Sequence, residues 1–324
     1  MTAGEILLWA ILGLCALALL WAAYNFFVTR RIARRVEELV PPPGRFVTID
    51  GHKIHYLEEG EGRPILFVHG LGGTLFHFSY PLFDRLADSG YRLIAVDRPG
   101  SGYSTRTGDR PATPAEHAKF LLRFMKELGI GKPLVVGHSL GGAIALALAL
   151  DHPDTITGLA LISPLTHHNE EIPAAFRPLH IKSALRRRIF SSTVAVPASV
   201  KYREQTLAFV FGPQQPPQDY AIAGGAMSAL RPAHIYGTST DFVAIADTMK
   251  AMEARYGELD MPVGILFGSA DNVIDSRMHG EQMRGKVRGL DLEILEGIGH
   301  MPQYVATDRV VAFIRRIADR AFSG

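Results

Sequence analysis

The chain has 324 residues, 47% of them hydrophobic and 20% charged, a composition that excludes a disordered polypeptide and allows a large buried core. Its formal net charge is +2 at pH 7, and the 30 basic and 29 acidic residues beyond residue 40 exclude the broad positive surface of a nucleic-acid-binding protein. The single cysteine, Cys15, excludes an internal disulfide. We therefore expect neutral or apolar partners and no nucleic acid.

The N-terminal segment, residues 1–40, predicts a membrane anchor followed by a basic juxtamembrane stretch. Its apolar run, Ile6–Val28, is 23 residues long and contains only Tyr24 and Asn25 as side chains of appreciable polarity, so it is long enough to cross a bilayer with some tilt. A secretory signal peptide would carry basic residues before the run, but the first five residues carry only Glu5, which favours an uncleaved anchor. A buried helix of the fold is the alternative, and a run that is apolar on every face disfavours it.

Four arginines directly after this run predict the orientation of the anchor. They are Arg30, Arg31, Arg34 and Arg35. By the positive-inside rule, they hold the rest of the chain on the cytoplasmic side of the membrane. We expect the full-length chain to sediment with membranes and to be released when residues 1–35 are removed.

A stiff spacer, Pro41–Gly44, marks the boundary between the anchor and the folded domain, because consecutive prolines cannot continue a helix. Beyond the spacer, Arg45–Asp50 and His52–Leu57 alternate apolar and polar residues about Asp50-Gly51. This pattern is typical of a β-hairpin.

The rest of the chain alternates short apolar runs with helical patterns. Unalternated runs rich in Val, Ile and Leu suit strands that are covered on both faces. They are Pro64–Val68, Arg92–Val96, Leu134–Val136, Leu159–Ile162, Val263–Phe267 and Leu292–Leu295. Helical periodicity covers Ala118–Leu128, Leu140–Leu150 and Asp308–Arg320. This alternation predicts a mostly parallel sheet with helices on both faces.

Residues 165–240 break the alternation. The segment is rich in proline, has no clear buried strand and is too long for an ordinary loop. We therefore predict a mainly helical cap over residues 165–240, which lies over the carboxyl edge of the sheet and divides the core into residues 41–164 and 241–324.

One short motif lies where a predicted strand meets a predicted helix. Gly137-His138-Ser139-Leu140-Gly141 has the G-x-S-x-G pattern in the strand-turn-helix context that this pattern requires. A serine in so sharp a turn adopts strained dihedral angles, so Gly137 and Gly141 must lack bulk if the chain is to pass. The motif therefore predicts a nucleophile elbow with Ser139 at its tip.

With this motif, three further signatures make the chain from about Arg45 onward resemble the α/β-hydrolase superfamily. Phe67–Gly73 resembles the His-Gly oxyanion loop after the third strand, and Val96–Ser104 resembles the loop after the next strand. Leu266–Asp271 and Gly297–His300 resemble the acid and base segments. The resemblance implies an α/β-hydrolase fold with a mostly parallel central sheet and a helical cap.

The resemblance also implies a catalytic triad. A serine hydroxyl is a poor nucleophile at neutral pH, so it needs a base and a third group that orients the base. Ser139 would be the nucleophile, His300 the base and Asp271 the acid, in the chain order of the superfamily. Asp275, four residues after Asp271, is the alternative acid.

The remaining parts of the expected site are backbone amides and packing residues. The amides of Leu71 and Leu140 would form the oxyanion hole, and His69 and His138 are expected to pack around it. Two histidine pairs, His52 with His55 and His167 with His168, have no zinc-like spacing. We therefore expect no metal and no cofactor.

The serine at the elbow reduces the number of reaction classes expected within the superfamily. The dehalogenase and epoxide-hydrolase branches of the superfamily carry aspartate there, whereas a serine forms an acyl-enzyme. The resemblance therefore implies a hydrolase of esters, thioesters or amides, and the frequency of activities in the family favours carboxylic esters. Six large apolar side chains of the predicted cap are enough to line an apolar tunnel, and the alternative is that they form the core of the cap itself; they are Phe176, Leu179, Phe190, Phe209, Phe211 and Tyr220. An anchored enzyme with such a tunnel resembles the membrane-bound monoacylglycerol lipase type and would take small esters with an apolar acyl group, including lipid acyl esters.

Three alternatives stay open. A carbon–carbon bond hydrolase that acts on a diketone-like metabolite uses the same triad, and a cofactor-free haloperoxidase-like relative is another enzyme of this fold. A catalytically silent scaffold that serves as a membrane-tethered binding module would have an incomplete triad, whereas every member is present here. Fold alone does not decide among them.

Overall fold

The structure, a computed structural model, describes residues 1–109, 112–168 and 172–323. Within these residues one sheet contains eight strands. They are β1 (Arg45–Ile49), β2 (His52–Glu59), β3 (Arg63–Val68), β4 (Tyr91–Val96), β5 (Leu134–His138), β6 (Gly158–Ile162), β7 (Val263–Gly268) and β8 (Asp291–Leu295). All of the predicted strands are present, and each observed strand begins or ends within about two residues of its predicted run.

The strand order in the sheet is β1-β2-β4-β3-β5-β6-β7-β8. β1 pairs with β2 and β2 with β4 in antiparallel fashion, whereas every pair from β4 through β3 to β8 is parallel. The predicted hairpin and the predicted mostly parallel sheet are therefore confirmed. Because parallel neighbours share a direction, β3, β5, β7 and β8 all end at the same edge of the sheet.

The helices among the described residues cover both faces of the sheet and the cap. They are α1 (Ala3–Leu39), α2 (Phe76–Leu86), α3 (Pro114–Glu127), α4 (Leu140–Asp151), α5 (Ala184–Ser192), α6 (Ala195–Lys201), α7 (Arg203–Phe211), α8 (Pro232–Ala244), α9 (Ala246–Glu253), α10 (Ser276–His279), α11 (Pro302–Val305) and α12 (Thr307–Phe322). The sequence pattern did not indicate α2, which has no side-chain N-cap and contains Pro81.

The core has two layers because successive strand residues point to opposite faces of the sheet. In β3, Leu66 and Val68 pack with residues of α3 and α4, whereas Ile65 and Phe67 pack with residues of α2 and α12. Both faces are thus covered, which explains why the central strands show no polar alternation.

The cap contains α5, α6, α7 and most of α8, and its described residues contain no strand. Residues 169–171 of the predicted cap lie outside the described residues. The predicted boundary at residue 240 falls inside α8, which continues to Ala244, and α9 then packs on the core through Met249 and Met252. The domain limits themselves stay predictions.

The first helix, α1, has two halves with different surroundings. The apolar half is long and apolar enough to cross a membrane, and none of its most apolar 18-residue window is buried. The second half packs on the cap: the Thr29 hydroxyl donates to the carbonyl of Thr193 at 2.6 Å, Val36 is fully buried, and Glu37 pairs with Arg231 at 2.9 Å. The helix therefore continues from the apolar run into the folded domain without a break before Leu39.

Candidate active site

Ser139 lies in a tight turn between β5 and α4, at the edge where the parallel strands end. Its φ of 55° and ψ of −121° belong to a region that non-glycine residues rarely adopt. The surroundings fix this conformation, because the Ser139 amide donates to Ile162 O at 3.1 Å and the Ser139 carbonyl accepts from Gly142 N and Leu165 N at 2.9 and 3.0 Å. The sequence prediction of a strand-turn-helix elbow matches this geometry.

The glycines around Ser139 are required by close backbone contacts. A Cβ atom at Gly141 would lie 2.0 Å from the carbonyl oxygen of Val68, and one at Gly137 would lie 2.6 Å from the carbonyl oxygen of Gly141. Any side chain at either position would force the backbone apart. The first turn of α4 therefore packs directly on the end of β3, and this packing holds the serine at the sheet edge.

Asp271 and His300 come together from two neighbouring strand ends. Asp271 follows β7 and His300 follows β8, and His300 Nδ1 donates to Asp271 Oδ2 at 2.7 Å. The other carboxylate oxygen accepts from the amides of Val273 and Ile274 at 2.8 and 2.9 Å. Both side chains are buried, with 0% of Asp271 and 5% of His300 exposed. Since Nδ1 carries the donated proton, Nε2 is the acceptor nitrogen of the neutral ring.

Among the described residues, no hydrogen bond joins the alternative acid, Asp275, to His300. Its carboxylate accepts from the amide of Arg277 at 2.9 Å and caps the N-terminus of α10. The structure therefore pairs the imidazole with Asp271.

His138 connects the elbow to His300. Its Nε2 donates to the carbonyl of His300 at 2.9 Å, and the centroids of the two rings are 4.7 Å apart. Burial, and then the neighbouring His300, lower the pKa of His138 well below its usual value. No hydrogen bond joins the Ser139 hydroxyl to His300 within the described part of the chain. The structure thus brings the three residues to the same edge of the sheet, with a hydrogen bond between His300 and Asp271 and none between the Ser139 hydroxyl and His300 among the described residues.

The loop after β3 lies against the elbow. A Cβ atom at Gly70 would be 2.8 Å from Cβ of Ser139, so the next residue, Leu71, begins beside the serine. Across the described residues, neither the Leu71 amide nor the Leu140 amide donates a backbone hydrogen bond. For Leu140 the reason is its place in the first turn of α4, where amides have no partner within the helix.

Buried charged and polar side chains hold this loop. Arg98, which is fully buried, donates to the carbonyls of His69 and Gly70 at 3.2 and 3.0 Å and pairs with Asp241 of α8 at 2.5 Å. The ring of His69 accepts from the Arg98 amide at 3.1 Å. Arg98 and Asp241 are 143 positions apart and no local pattern relates them, so the sequence predicted no role for either residue.

Two further histidines at the site carried no sequence signal. His77 of α2 lies edge-on to His138 with ring centroids 6.3 Å apart, and burial, followed by His234 and His300, lowers the pKa of His77 to about 4. His234 of α8 accepts from the Gly102 amide at 2.9 Å and donates to the Gly72 carbonyl at 3.1 Å, so it ties the cap to two core loops.

A cavity of about 1080 Å³ opens between the cap, α1 and the loop that precedes α2. Gly72, Thr74 and His77 form its core side, and among the described residues its lining does not include Ser139, Asp271 or His300. His77, which lines the cavity, is in ring contact with His138, and the ring of His138 contacts that of His300, so the cavity lies two ring contacts from the His300–Asp271 pair.

The cavity wall differs from the predicted aromatic tunnel. Of the six predicted side chains, Leu179 and Tyr220 line the cavity. The other four mainly pack on neighbouring side chains: Phe176 contacts Phe209 and Phe242, Phe211 contacts Tyr220 and Tyr304, and Phe190 packs against the cluster of Ala195, Val196 and Ile235. A small cap must bury its own aromatic residues to be stable, so most of them are unavailable as lining.

Comparison with known sequences identifies the family. Residues 63–307 match the family model described as alpha/beta hydrolase fold. A dihydrolipoyllysine-residue acetyltransferase component of an acetoin cleaving system from Cupriavidus necator is 43% identical over 124 residues, which are 37% of this chain and 32% of that protein. A 2-hydroxy-6-oxononadienedioate/2-hydroxy-6-oxononatrienedioate hydrolase from Burkholderia vietnamiensis is 25% identical over 82% of this chain and 91% of its own.

Solved structures share the same architecture. A membrane phospholipase A superposes with a TM-score of 0.67 over 98% of this chain and 99% of its own, at 21% identity. An esterase from Thermogutta terrifontis superposes with a TM-score of 0.65 over 86% of this chain and 99% of its own, also at 21% identity. From the family match and the shared fold we conclude that the chain belongs to the α/β-hydrolase fold family of hydrolytic enzymes.

Proposed function

We propose that this chain is a serine hydrolase that cleaves carboxylic esters, with Ser139 as nucleophile, His300 as base and Asp271 as acid. The observation that carries the proposal is the buried 2.7 Å hydrogen bond between His300 Nδ1 and Asp271, formed at the same sheet edge as a serine held at φ 55°. An oriented imidazole whose Nε2 is free to accept a proton is what a serine needs to become a nucleophile.

The proposed reaction proceeds in two halves. Ser139 Oγ attacks the ester carbonyl carbon while its proton passes to His300 Nε2, and Asp271 stabilises the resulting imidazolium. The carbonyl oxygen becomes an oxyanion that accepts hydrogen bonds from the Leu71 and Leu140 amides. The C–O bond then breaks, the leaving alcohol takes the proton from His300, and water repeats the sequence on the acyl-enzyme to release the carboxylic acid. The missing Ser139–His300 hydrogen bond is compatible with this role, since catalytic hydrogen bonds often tighten only in the substrate complex.

The substrate class follows from the cavity and from α1. The cavity is large enough for an acyl chain, and most of its wall is apolar. We propose that Ile6–Val28 anchors the protein in a membrane with the catalytic domain on the cytoplasmic side, and that lipid-soluble esters with an apolar acyl group are the substrates. The names of two structural neighbours, a membrane phospholipase A and an esterase, are in keeping with this class.

A carbon–carbon bond hydrolase is the second candidate. The relative from Burkholderia vietnamiensis, which matches 82% of this chain, is named as a hydrolase of 2-hydroxy-6-oxononadienedioate. Such a reaction uses the same triad, so the site geometry alone does not separate the two. A p-nitrophenyl ester series of increasing chain length distinguishes them: ester hydrolysis supports the first candidate, and probe labelling without ester hydrolysis supports the second.

The test of the nucleophile uses Ser139→Ala. We expect the variant to lose labelling by a fluorophosphonate probe and to lose about 10⁶-fold in kcat for p-nitrophenyl esters, with an unchanged melting temperature. Ser323→Ala, which alters an exposed serine near the C-terminus, is the matched control and should keep both properties. Labelling retained in Ser139→Ala would refute the assignment.

A further inference from the structure

One face of α1 forms part of the cavity wall. Val28, Ile32 and Val36 recur every four residues, and Arg31 and Arg35 lie beside them on the same face; all five line the cavity. The other two arginines of the juxtamembrane stretch, Arg30 and Arg34, do not contribute to the lining among the described residues. The positive-inside rule treats all four arginines alike, so it does not account for this division.

Among the described residues, the charged side chains of the cavity lining are all arginines. Arg203 of α7 joins Arg31 and Arg35, and the lining formed by described residues includes no carboxylate. The two histidines of the lining, His77 and His234, have pKa values lowered to about 4 mainly by burial, so both are neutral at pH 7. Three arginines therefore contribute to the lining of a cavity that is otherwise apolar or uncharged.

These guanidinium groups are available to a ligand. Arg31 forms no ion pair or hydrogen bond with any other described residue. Arg35 pairs with Glu38 and Arg203 with Glu204, but both pairs are solvent-exposed, with at least 63% of each side chain accessible. Exposed pairs of this kind are weak and are readily exchanged for a better partner.

We propose that Arg31, Arg35 and Arg203 form a headgroup subsite that binds a phosphate or carboxylate carried by the substrate. The preferred substrate is then an acyl ester with an anionic headgroup, whose chain occupies the apolar part of the cavity. Guanidinium groups bind such anions in a bidentate manner, with hydrogen bonds stronger than those between neutral groups. This inference rests on the proposed ester hydrolysis and specifies the substrate of that same site.

The position of the subsite indicates a lipid as the source of the anion. Val28, the last residue of the apolar run, already lines the cavity, and the arginines follow within two turns of α1. If the apolar run spans the hydrocarbon layer, Arg31 and Arg35 lie at the depth of the lipid headgroups. An amphiphile could then enter the cavity from the bilayer with its anion beside these arginines.

The experiment compares two substrates that differ only in a phosphate group. The full-length chain in neutral detergent micelles is given a 1-acylglycerol 3-phosphate and the 1-acylglycerol with the same acyl chain, and the ratio of their kcat/KM values is measured. We expect the wild type to prefer the phosphate and Arg31→Gln to lower the ratio about tenfold, the usual effect of one charge-assisted hydrogen bond. Arg34→Gln removes the same charge from the same helix, off the cavity, and should leave the ratio unchanged.

Two kinetic outcomes would overturn the subsite. One is a wild-type ratio near one; the other is an equal loss in Arg31→Gln and Arg34→Gln, since an equal loss would indicate only the general positive potential of the protein surface.

Binding of dodecyl phosphate to the Ser139→Ala protein supplies a readout without turnover, and Arg31→Gln should weaken this binding about tenfold. If inorganic phosphate at fixed ionic strength competes as well as dodecyl phosphate, the site is a plain anion site and the substrate assignment is wrong. Failure of the proposed hydrolysis is distinct, because the wild type would then cleave neither ester while dodecyl phosphate binding persisted.

Discussion

The elbow around Ser139 and the cavity beneath the cap are neighbours, but they are built in different ways. The elbow consists of backbone: its shape follows from residues 137–142, from one positive φ, and from glycines that contact main-chain atoms of β3. The cavity consists of side chains from α1, the cap and the loop before α2, which lie up to about 200 positions apart in the sequence. A feature that is fixed by local backbone geometry has a recognisable sequence motif, whereas a feature that is assembled by long-range packing has none.

The two regions should also differ in how they tolerate change. At the elbow an added methyl group meets backbone atoms within 3 Å, so there is no room to adjust. At the cavity several wall residues, including Arg31 and Arg203, are exposed side chains that can be exchanged without disturbing the core. We therefore expect substitutions at the elbow to abolish activity or folding, and substitutions at the cavity to change specificity.

After Ser139→Ala, the largest effect is expected from Asp271→Asn. An asparagine would offer its amide to His300 and disfavour the tautomer with a proton on Nδ1, so kcat for esters should fall about 10⁴-fold, by analogy with the aspartate of other serine triads. Asp275→Asn, which alters only an exposed helix cap, is the control and should change kcat little. If Asp275→Asn proves the more severe of the two in a steady-state assay, the acid is misassigned.

The next effect tests the rigidity of the elbow. In Gly141→Ala the new Cβ would lie 2.0 Å from the carbonyl oxygen of Val68. We therefore expect the free energy of unfolding to fall by about 3 kcal/mol or more and labelling by the fluorophosphonate probe to be lost. Gly285→Ala is matched to it, because no atom lies within 4 Å of a Cβ there and the φ is not in the left-handed region. Equal melting temperatures for the two variants would show that the elbow is less tightly packed than the structure indicates.

The sequence was sufficient for the sheet and for the strand-turn-helix geometry of the elbow because each has a local signature, whereas the choice between Asp271 and Asp275 as partner of His300 stayed open. Unalternated apolar runs predicted the buried strands, and Gly137 and Gly141 marked the close approach of α4 to β3. It was not sufficient for α2, whose start has no capping side chain and whose interior contains Pro81. Nor did it indicate that the helix after the apolar run continues into the cavity wall, since the same arginines serve equally well as a topology signal.

The pH dependence of stability tests the surroundings of His234, which lines the cavity. It is 2% exposed, and burial lowers its pKa from 6.5 to about 4, so the unfolded chain binds more protons than the folded one between these values. Its contribution to stability is therefore fully present above pH 6.5 and is lost as the pH falls toward 4, by about 3 kcal/mol in total. Other buried histidines, such as His117, should act in the same direction.

The measurement compares wild type with His234→Gln by denaturant unfolding from pH 7.5 to pH 4.5. The variant loses the hydrogen bonds to Gly72 and Gly102, so it should be less stable at pH 7.5, but the difference from wild type should shrink on acidification. A constant difference across the whole range would mean that His234 does not carry the depressed pKa.

The smallest effect is expected from two N-terminal truncations, which distinguish two roles of α1: membrane anchoring and formation of the cavity wall. Removal of residues 1–23 eliminates most of the apolar run but keeps Thr29 and Ile32, whereas removal of residues 1–35 also strips these contacts from the cap. Both truncated chains should be released from membranes, because neither retains a span of about 20 apolar residues. Only the longer deletion should lower the free energy of unfolding, by about 2 kcal/mol for the lost burial of Ile32 and the lost Thr29 hydrogen bond.

The longer deletion should also reduce the kcat/KM ratio of long-chain to short-chain p-nitrophenyl esters, since Val28 and Ile32 would no longer line the cavity. Equal stability and equal chain-length profiles for the two truncations would show that α1 is an anchor alone, and would leave the elbow as the part of the molecule that determines its chemistry.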